Sequence, residues 1–313
     1  MTQIIDIVLP VFGLLGVGYV AAWSGLMSAS AADGFSAYVY RIAIPLLVFR
    51  AIALTPAPDI APVTLLSCYF SAVAIVWTLG SLAARFVLKT DGPVSAIVGV
   101  GAAYSNTVML GLPLVVTAYG QEGALIFFIL FPFHMPVMTL VNSIQIELSR
   151  GHEVNFGKAI VATAHSMARN PIIIGVAAGA IFRISGLTLP QSADTVTSLI
   201  AQTAVPSALI SMGLILRRYG VSRGFKPAVV MTALKLLVLP ALVWIFTAKI
   251  AGLDATTVGV LTIFAAAPVG INTFIYASSH RVGVAEASSA IALSTGLSII
   301  TISVVLALLG VGG

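Results

Sequence analysis

Charged side chains make up only 8% of the 313 residues, against 59% hydrophobic ones. A soluble domain carries roughly 25% charge, because water must wet its outside. Here charge is missing from whole stretches, so the outer surface must face lipid. Cysteine is almost absent too. Cys68 stands alone inside an apolar run, which excludes an intrachain disulfide and leaves the redox compartment unread. Catalytic constellations are also missing. An enzyme within the membrane needs a nucleophile with a base, paired acids or metal ligands. His134 and His165 are isolated, no His/Glu cluster falls at helical spacing, and no phosphate-binding glycine motif occurs. The sequence therefore reads as a non-enzyme without metal or cofactor.

The charge that remains is mostly basic, giving a net +5. It forms no solvated face of the kind that binds nucleic acid. It falls in short gaps between apolar runs, the pattern of a membrane protein with positive inner loops. A membrane helix needs about 20 apolar residues, and turn and charge punctuation divides the chain into about ten such spans. They run near 5–26, 34–54, 62–88, 94–118, 122–148, 169–186, 192–216, 226–250, 255–278 and 284–309. With the N-terminus outside, the inner loops collect Arg85, Lys89, Arg150, Lys158, Arg169, Arg217, Arg218, Arg223, Lys226 and Arg281. The outer side keeps Arg50, Arg183 and Lys249. Both termini are expected outside a cell membrane. Asp6, with no basic residue before the first apolar run, makes a poor signal peptide, so the first span is expected to be retained.

The halves repeat. A gapless shift of 161 residues sets Pro10 on Pro171, Gly18 on Gly179, and Ser24-Gly25-Leu26 on Ser185-Gly186-Leu187. It also sets Ala32-Asp33 on Ala193-Asp194, Ala43 on Ala204 and Pro45 on Pro206. After the second span of each half the register drifts. A repeat with an odd number of spans inserts its second copy upside down, the plan of many secondary transporters. Residues 1–150 are expected to form one five-helix repeat, 151–168 a cytoplasmic linker, and 169–313 the inverted copy. Asp33 and Asp194 start matching helices, where N-terminal capping would account for them.

Two spans in matching positions are interrupted by proline with small polar residues. The fourth carries Asn106, Gly111 and Pro113, and the ninth carries Pro268, Gly270, Ile271 and Asn272. Proline removes a donor and opens a helix, while glycine eases unwinding. Proline kinks often serve packing alone. A symmetric pair with an asparagine beside each break instead points to a binding site at a crossing. Half-helix N-termini near Leu114 and Gly270 would direct partial positive charge there, which suits a carboxylate.

Other polar residues lie in spans. Lys235 is mid-span, where an ammonium is expensive to bury. It could neutralise a substrate carboxylate, replace a coupling cation, or satisfy a buried carbonyl. Arg41 reads as structural or snorkelling. His134 could titrate and couple transport to protons, although a hydrogen-bonded packing histidine is the ordinary reading. Asn142 and Gln145 continue along its helix and could line a cavity.

At the two breaks the sequence resembles the auxin efflux carrier family. Ser105-Asn106-Thr107-Val108-Met109-Leu110-Gly111-Leu112-Pro113-Leu114, then Ala118-Tyr119-Gly120, is similar to its fourth-helix motif. Ala267-Pro268-Val269-Gly270-Ile271-Asn272, then Phe274-Ile275-Tyr276-Ala277, is similar to its ninth. The resemblance covers the whole chain, including Pro10-Val11-Phe12 with Gly16 and Gly18.

It implies an all-α fold like that of bile-acid symporters and sodium/proton antiporters, with about ten spans and crossed, broken fourth and ninth helices. It also implies a scaffold against which a transport domain moves, dimerisation through scaffold helices, and a carboxylate substrate near the crossing. The matched contacts are Asn106, the Pro113 break, and Pro268 with Gly270 and Ile271. Asn272-Thr273 stand where the plant proteins have valine-proline, and their long cytosolic loop is missing. A dicarboxylate such as malate or malonate is therefore favoured over auxin.

The leading expectation is a secondary carrier of a small organic anion, with coupling to protons or sodium left open. The sodium/proton antiporters use paired aspartates at this crossing and none occurs here, so cation exchange is the weaker alternative. A receptor that kept a carrier fold without turnover is the other.

Overall fold

The computed structural model describes residues 2–56, 61–151, 155–221 and 224–311; Arg223 and linker residues 152–154 lie outside them. Among the described residues, twelve helices follow one another. The first six are α1 Thr2–Trp23, α2 Ala29–Leu54, α3 Pro62–Val87, α4 Gly92–Ala103, α5 Thr107–Ser149 and α6 Phe156–Ala168. The rest are α7 Pro171–Ser185, α8 Gln191–Leu216, α9 Phe225–Ile250, α10 Ala255–Ala266, α11 Ile271–His280 and α12 Val284–Leu308. Seven of these are long and apolar enough to span a bilayer, or eight if α6 and α7, bent by 67°, count as one. Large apolar side chains such as Leu9, Trp23, Phe86, Ile184 and Leu308 stand on the outside. With so little charge to cover them, they face lipid. The chain is an all-helical polytopic membrane protein.

The difference between about ten expected spans and the seven long helices has three local causes. The expected fourth and ninth spans are each cut into short pieces, α4 with the start of α5, and α10 with α11. Gly120, at φ 61° and ψ −147°, turns the chain inside α5, so the fourth and fifth spans share one helix label. The positive φ is what glycine supplies at that turn. The sixth span, α7, has 15 residues. The expected linker is not an irregular connection, because most of it is the helix α6, with Phe156, Ile160 and Val161 exposed.

Prolines shape the long helices in a regular way. π-helical turns occupy Val39–Ala43, Thr107–Gly111 and Leu234–Val238, and Pro45, Pro113 and Pro240 each follow two residues later. A proline cannot donate to the carbonyl four residues back, and its ring collides with it. Widening the preceding turn moves that carbonyl aside and lets the helix run on. The proline at 113 is therefore absorbed within a helix.

Two groups of helices pack together. α1, α2, α7 and α8 form one; α3, α4, α5 and α9–α12 form the other, with the main apolar core spread through both. Contacts in the first group pair off at the same offset of 161. A Cβ on Gly18 would collide with the Ile210 carbonyl oxygen, and one on Gly179 would lie 2.9 Å from that of Phe49. Gly179 is 161 residues past Gly18, and Ile210 is 161 past Phe49. Likewise Ser36 hydrogen-bonds Ser211 at 2.7 Å, while Thr197 accepts from Arg50 at 2.8 Å.

The two matched aspartates are not caps. Ser28 caps α2, accepting from the Ala31 amide, and Pro190 precedes α8 with no side-chain cap. Asp33 instead pairs with Arg218 at 2.7 Å, and Asp194 with Arg50 at 2.6 Å. α2 and α8 run antiparallel, so each helix offers an aspartate at its start to an arginine at or near the end of the other.

Candidate functional site

Asp91 and Asp254 open the two short helices that lead to the crossing. Each accepts a hydrogen bond from a backbone amide three residues on, Val94 at 2.8 Å and Thr257 at 2.9 Å. Their helices, α4 and α10, end near the centre of the protein. Tyr104 makes the last α-helical bond of the first, its amide donating to Val100 at 2.7 Å. Ala267, forced into an extended conformation by the proline that follows, ends the second.

The interrupted segments then meet. The Asn106 amide donates to the Pro268 carbonyl at 2.8 Å, and the Gly270 amide donates to the Tyr104 carbonyl at 2.8 Å. Ser105 and Val269 sit between as an antiparallel bridge. Asn106 and Gly270 are 164 residues apart, as are Tyr104 and Pro268, so one bond is the image of the other. The Val269 amide donates to Ser294 Oγ of α12 at 3.1 Å. Each break thus supplies the partners the other has lost, which unpaired backbone at membrane depth requires. A Cβ on Gly270 would lie 2.5 Å from the Tyr104 ring, so this position needs glycine for close approach.

The first break therefore falls at residues 104–106, about two turns before Pro113. The half-helix N-terminus on that side is at Thr107, not near Leu114 as the proline suggested. Pro113 is buried within the helix about 9 Å further on. Gly111 lies in the π turn with ordinary helical angles, and a Cβ placed there would meet its neighbours at ordinary van der Waals distances, so it does not mark an unwound point.

Around the bridge the side chains form a polar and aromatic cluster. Asn106 is buried and its amide nitrogen lies 3.1 Å from Met212 Sδ of α8, joining the two helix groups. Ile271 and Asn272 open α11, and the Asn272 amide donates to the Tyr104 hydroxyl at 2.6 Å. The Tyr104 ring lies 4.8 Å from the buried His134 ring, and Phe264 and Tyr69 close on the same imidazole at 5.1 and 5.6 Å. His134 Nδ1 is 3.3 Å from the Tyr69 hydroxyl. The ring is packed and bonded at Nδ1, while its buried Nε2 has no hydrogen-bond partner among the described residues. Lys235 is fully buried and donates to the Ala265 carbonyl, in the last turn of α10. Among the described residues, no carboxylate is buried.

Asn142, two turns past His134, is also fully buried, but its amide has no hydrogen-bond partner among the described residues. Its neighbour Gln145 is engaged, accepting from Trp77 Nε1 at 2.5 Å and donating to Ser81 at 2.9 Å. Arg41, in the π turn of α2, is exposed, as a snorkelling arginine would be. The structure gathers Asn106, Gly111, Pro268, Gly270, Ile271, Asn272 and Lys235 at or beside the crossing, and leaves Pro113 and Asn142 along α5. Sequence reasoning missed Tyr104, Met212 and the ring of aromatics around His134. Tyr104 stands immediately before the matched Ser105-Asn106, where an aromatic beside a break was available as a signal.

The comparisons with known proteins agree with this architecture. The model of the family described as membrane transport protein matches residues 3–306. A relative from Rhizobium meliloti (strain 1021), named "Putative malonate transporter", is 23% identical over 312 residues, covering 100% of this chain and 98% of its own. "Auxin efflux carrier component 8" of Arabidopsis thaliana is 22% identical over 331 residues, covering 89% of this chain and 90% of its own. With nearly its full length matched and its two breaks crossing where the motifs lie, the chain belongs to the membrane transport protein family that includes the auxin efflux carriers.

Proposed function

We propose that the protein is a secondary active carrier of a small organic anion bearing carboxylates, which binds at the crossing of the two broken spans. The observation that carries this is the reciprocal pair of backbone bonds at residues 104–106 and 268–270, which brings the starts of α5 and α11 together. A helix start leaves N–H groups with no partner inside the helix and carries partial positive charge. Two such starts, with the amides of Asn106 and Asn272 beside them, make a receptor for a carboxylate. Pro268 and Ile271 shape its walls. The lack of a buried carboxylate among the described residues favours an anion over a cation or proton antiporter.

Malonate is the first substrate to test, because a relative matching the full chain is named for it. The packing of α1, α2, α7 and α8 apart from the remaining spans supports an elevator-type alternation, in which the crossing moves with the second group. The paired contacts at an offset of 161 support two inverted repeats, 1–150 and 169–313, joined through residues 151–168. The distribution of basic loops supports a cell-membrane orientation with both termini outside.

Transport by the purified protein in liposomes tests this reading. Malonate, malate and indole-acetate would be added at several pH values, with and without sodium, and radiolabelled uptake followed alongside membrane currents. Saturable uptake of one carboxylate, lost in Asn106→Ala, is expected. Uptake unchanged in that variant would move the site away from the crossing. Absence of transport, with binding of none of these anions, would favour a receptor.

A further inference from the structure

A second polar feature lies apart from the crossing. A cavity of about 410 Å³ opens between α2, α8 and the turn of α5, toward the side where the termini lie. Leu47, Arg50, Gln121, Ser198, Gln202 and Val205 are among its walls. Along α8, Val205 is seven residues from Met212, about 10 Å at the helical rise. Met212 touches Asn106, so α8 runs from the cavity wall to the crossing.

Arg50 is the charged group in its wall, with 18% of its side chain exposed. Its described contacts all fall on one nitrogen. Nη1 donates to Asp194 Oδ1 at 2.6 Å, to the Asp194 carbonyl at 3.0 Å and to Thr197 Oγ1 at 2.8 Å. A guanidinium has further donors on Nη2 and Nε, in a planar fork that matches a carboxylate. Arg183 donates to the carbonyl of Thr55, another wall residue, and adds positive charge at the mouth. Among the described residues, Asp194 and Glu122, the neighbour of Gln121, are the acids near it, and Asp194 is engaged.

The helix contact itself does not require a guanidinium at this position of the repeat. The equivalent junction in the other half, 161 residues out of step, is made by Ser36 and Ser211 at 2.7 Å. At that end Asp33 is met by Arg218 from beyond the end of α8, whereas at this end Arg50 makes both the helix contact and the ion pair.

We infer that Arg50 is a receiving site for the anionic substrate on the terminus side, with Asp194 as the internal carboxylate that competes for it. Substrate entering the cavity takes the free edge of the guanidinium, with Gln121 and Gln202 as neutral hydrogen-bonding partners, before it reaches Asn106. This deepens the anion-carrier reading and rests on it.

The test uses right-side-out membrane vesicles preloaded with unlabelled malonate and given radiolabelled malonate outside, so that exchange proceeds whatever the coupling ion. Arg50→Gln is expected to raise the half-saturating external concentration about tenfold, the worth of one charge-assisted hydrogen bond, with the maximal rate little changed. Asp194→Asn is expected to lower that concentration, because the competitor is neutralised. A purely structural ion pair predicts the same direction for both variants and recovery on exchanging the two residues; that result would overturn the proposal. Wild-type exchange with unaltered half-saturation in Arg50→Gln would also overturn it while leaving the carrier reading intact. No exchange and no binding of malonate, malate or indole-acetate by the wild type would remove the carrier reading, and this inference with it.

Discussion

Lys235 shows how a single buried charge can be required by a broken helix. The last carbonyls of α10 have no helical partners, and the ammonium satisfies the one on Ala265. Replacing it with methionine keeps the volume but orphans that oxygen, at a cost of about 1–3 kcal/mol. Lys235→Met is therefore expected to fold with a lowered midpoint in detergent unfolding. A midpoint equal to wild type would mean that the carbonyl finds another donor. Tyr104 has a matching role on the other side of the crossing. Tyr104→Phe removes the acceptor of the Asn272 amide while leaving the ring against His134. Substrate affinity is expected to change more than stability, since the freed amide faces the crossing. Parallel binding and unfolding curves would separate the two effects.

Among the helices, the short ones leading to the crossing depend most on their caps. Burial pushes the Asp254 carboxyl up, but hydrogen bonds from Thr257 and from the amides of Thr256 and Thr257 outweigh it and hold its pKa below the usual value. A depressed carboxylate contributes stability that is fully present above its unfolded pKa and disappears as pH falls through the folded one. Asp254→Ala should thus cost about 0.5–2 kcal/mol at neutral pH, and the gap from wild type should close in strong acid. A gap that does not narrow at all between neutral pH and strong acid would deny the carboxylate its part. α1 and α8 offer a steric counterpart. Gly18→Val should force them apart, and Gly179→Val should do the same to α7 and α2, less severely because the approach there is looser. Yields of monodisperse protein would rank the two.

The all-helical membrane fold and the ninth-span break were legible because apolar runs, prolines and small residues report them directly. The break before Thr107 was not, because its position is fixed by hydrogen bonds to residues 268–270, far away in sequence. Proline drew attention to position 113, yet a π turn neutralises it there. The aspartates at 33 and 194 read as caps for a similar reason, since their arginines arrive from the other half. The helix in the linker was hidden by its polar neighbours. Asn106, Gly270 and Asn272 could be named in advance because their motif carries them; Met212 could not, because only packing brings it to Asn106.

At the scale of the whole molecule, the basic residues predict an orientation that labelling can test. In a Cys68→Ala background, a cysteine at Gln191 should react with a membrane-impermeant maleimide on intact cells, and one at Lys158 only after permeabilisation. The reverse pattern would invert the protein in its membrane and place the Arg50 cavity on the cytoplasmic face. The ion pairs at opposite ends of α2 and α8 would then exchange faces as well.

The reciprocal bonds at the crossing also have a consequence for how the protein is made. When the ribosome has released the fourth span into the bilayer, the amide of Asn106 and the carbonyl of Tyr104 have no partners, because Pro268 and Gly270 do not yet exist. About 160 further residues at about 5–20 residues per second separate the two events, a wait of roughly 10–30 s. During that interval the nascent first half carries an open backbone that the insertion machinery or bound water must shelter. Synthesis that stalls within α9 leaves a chain that cannot close these bonds.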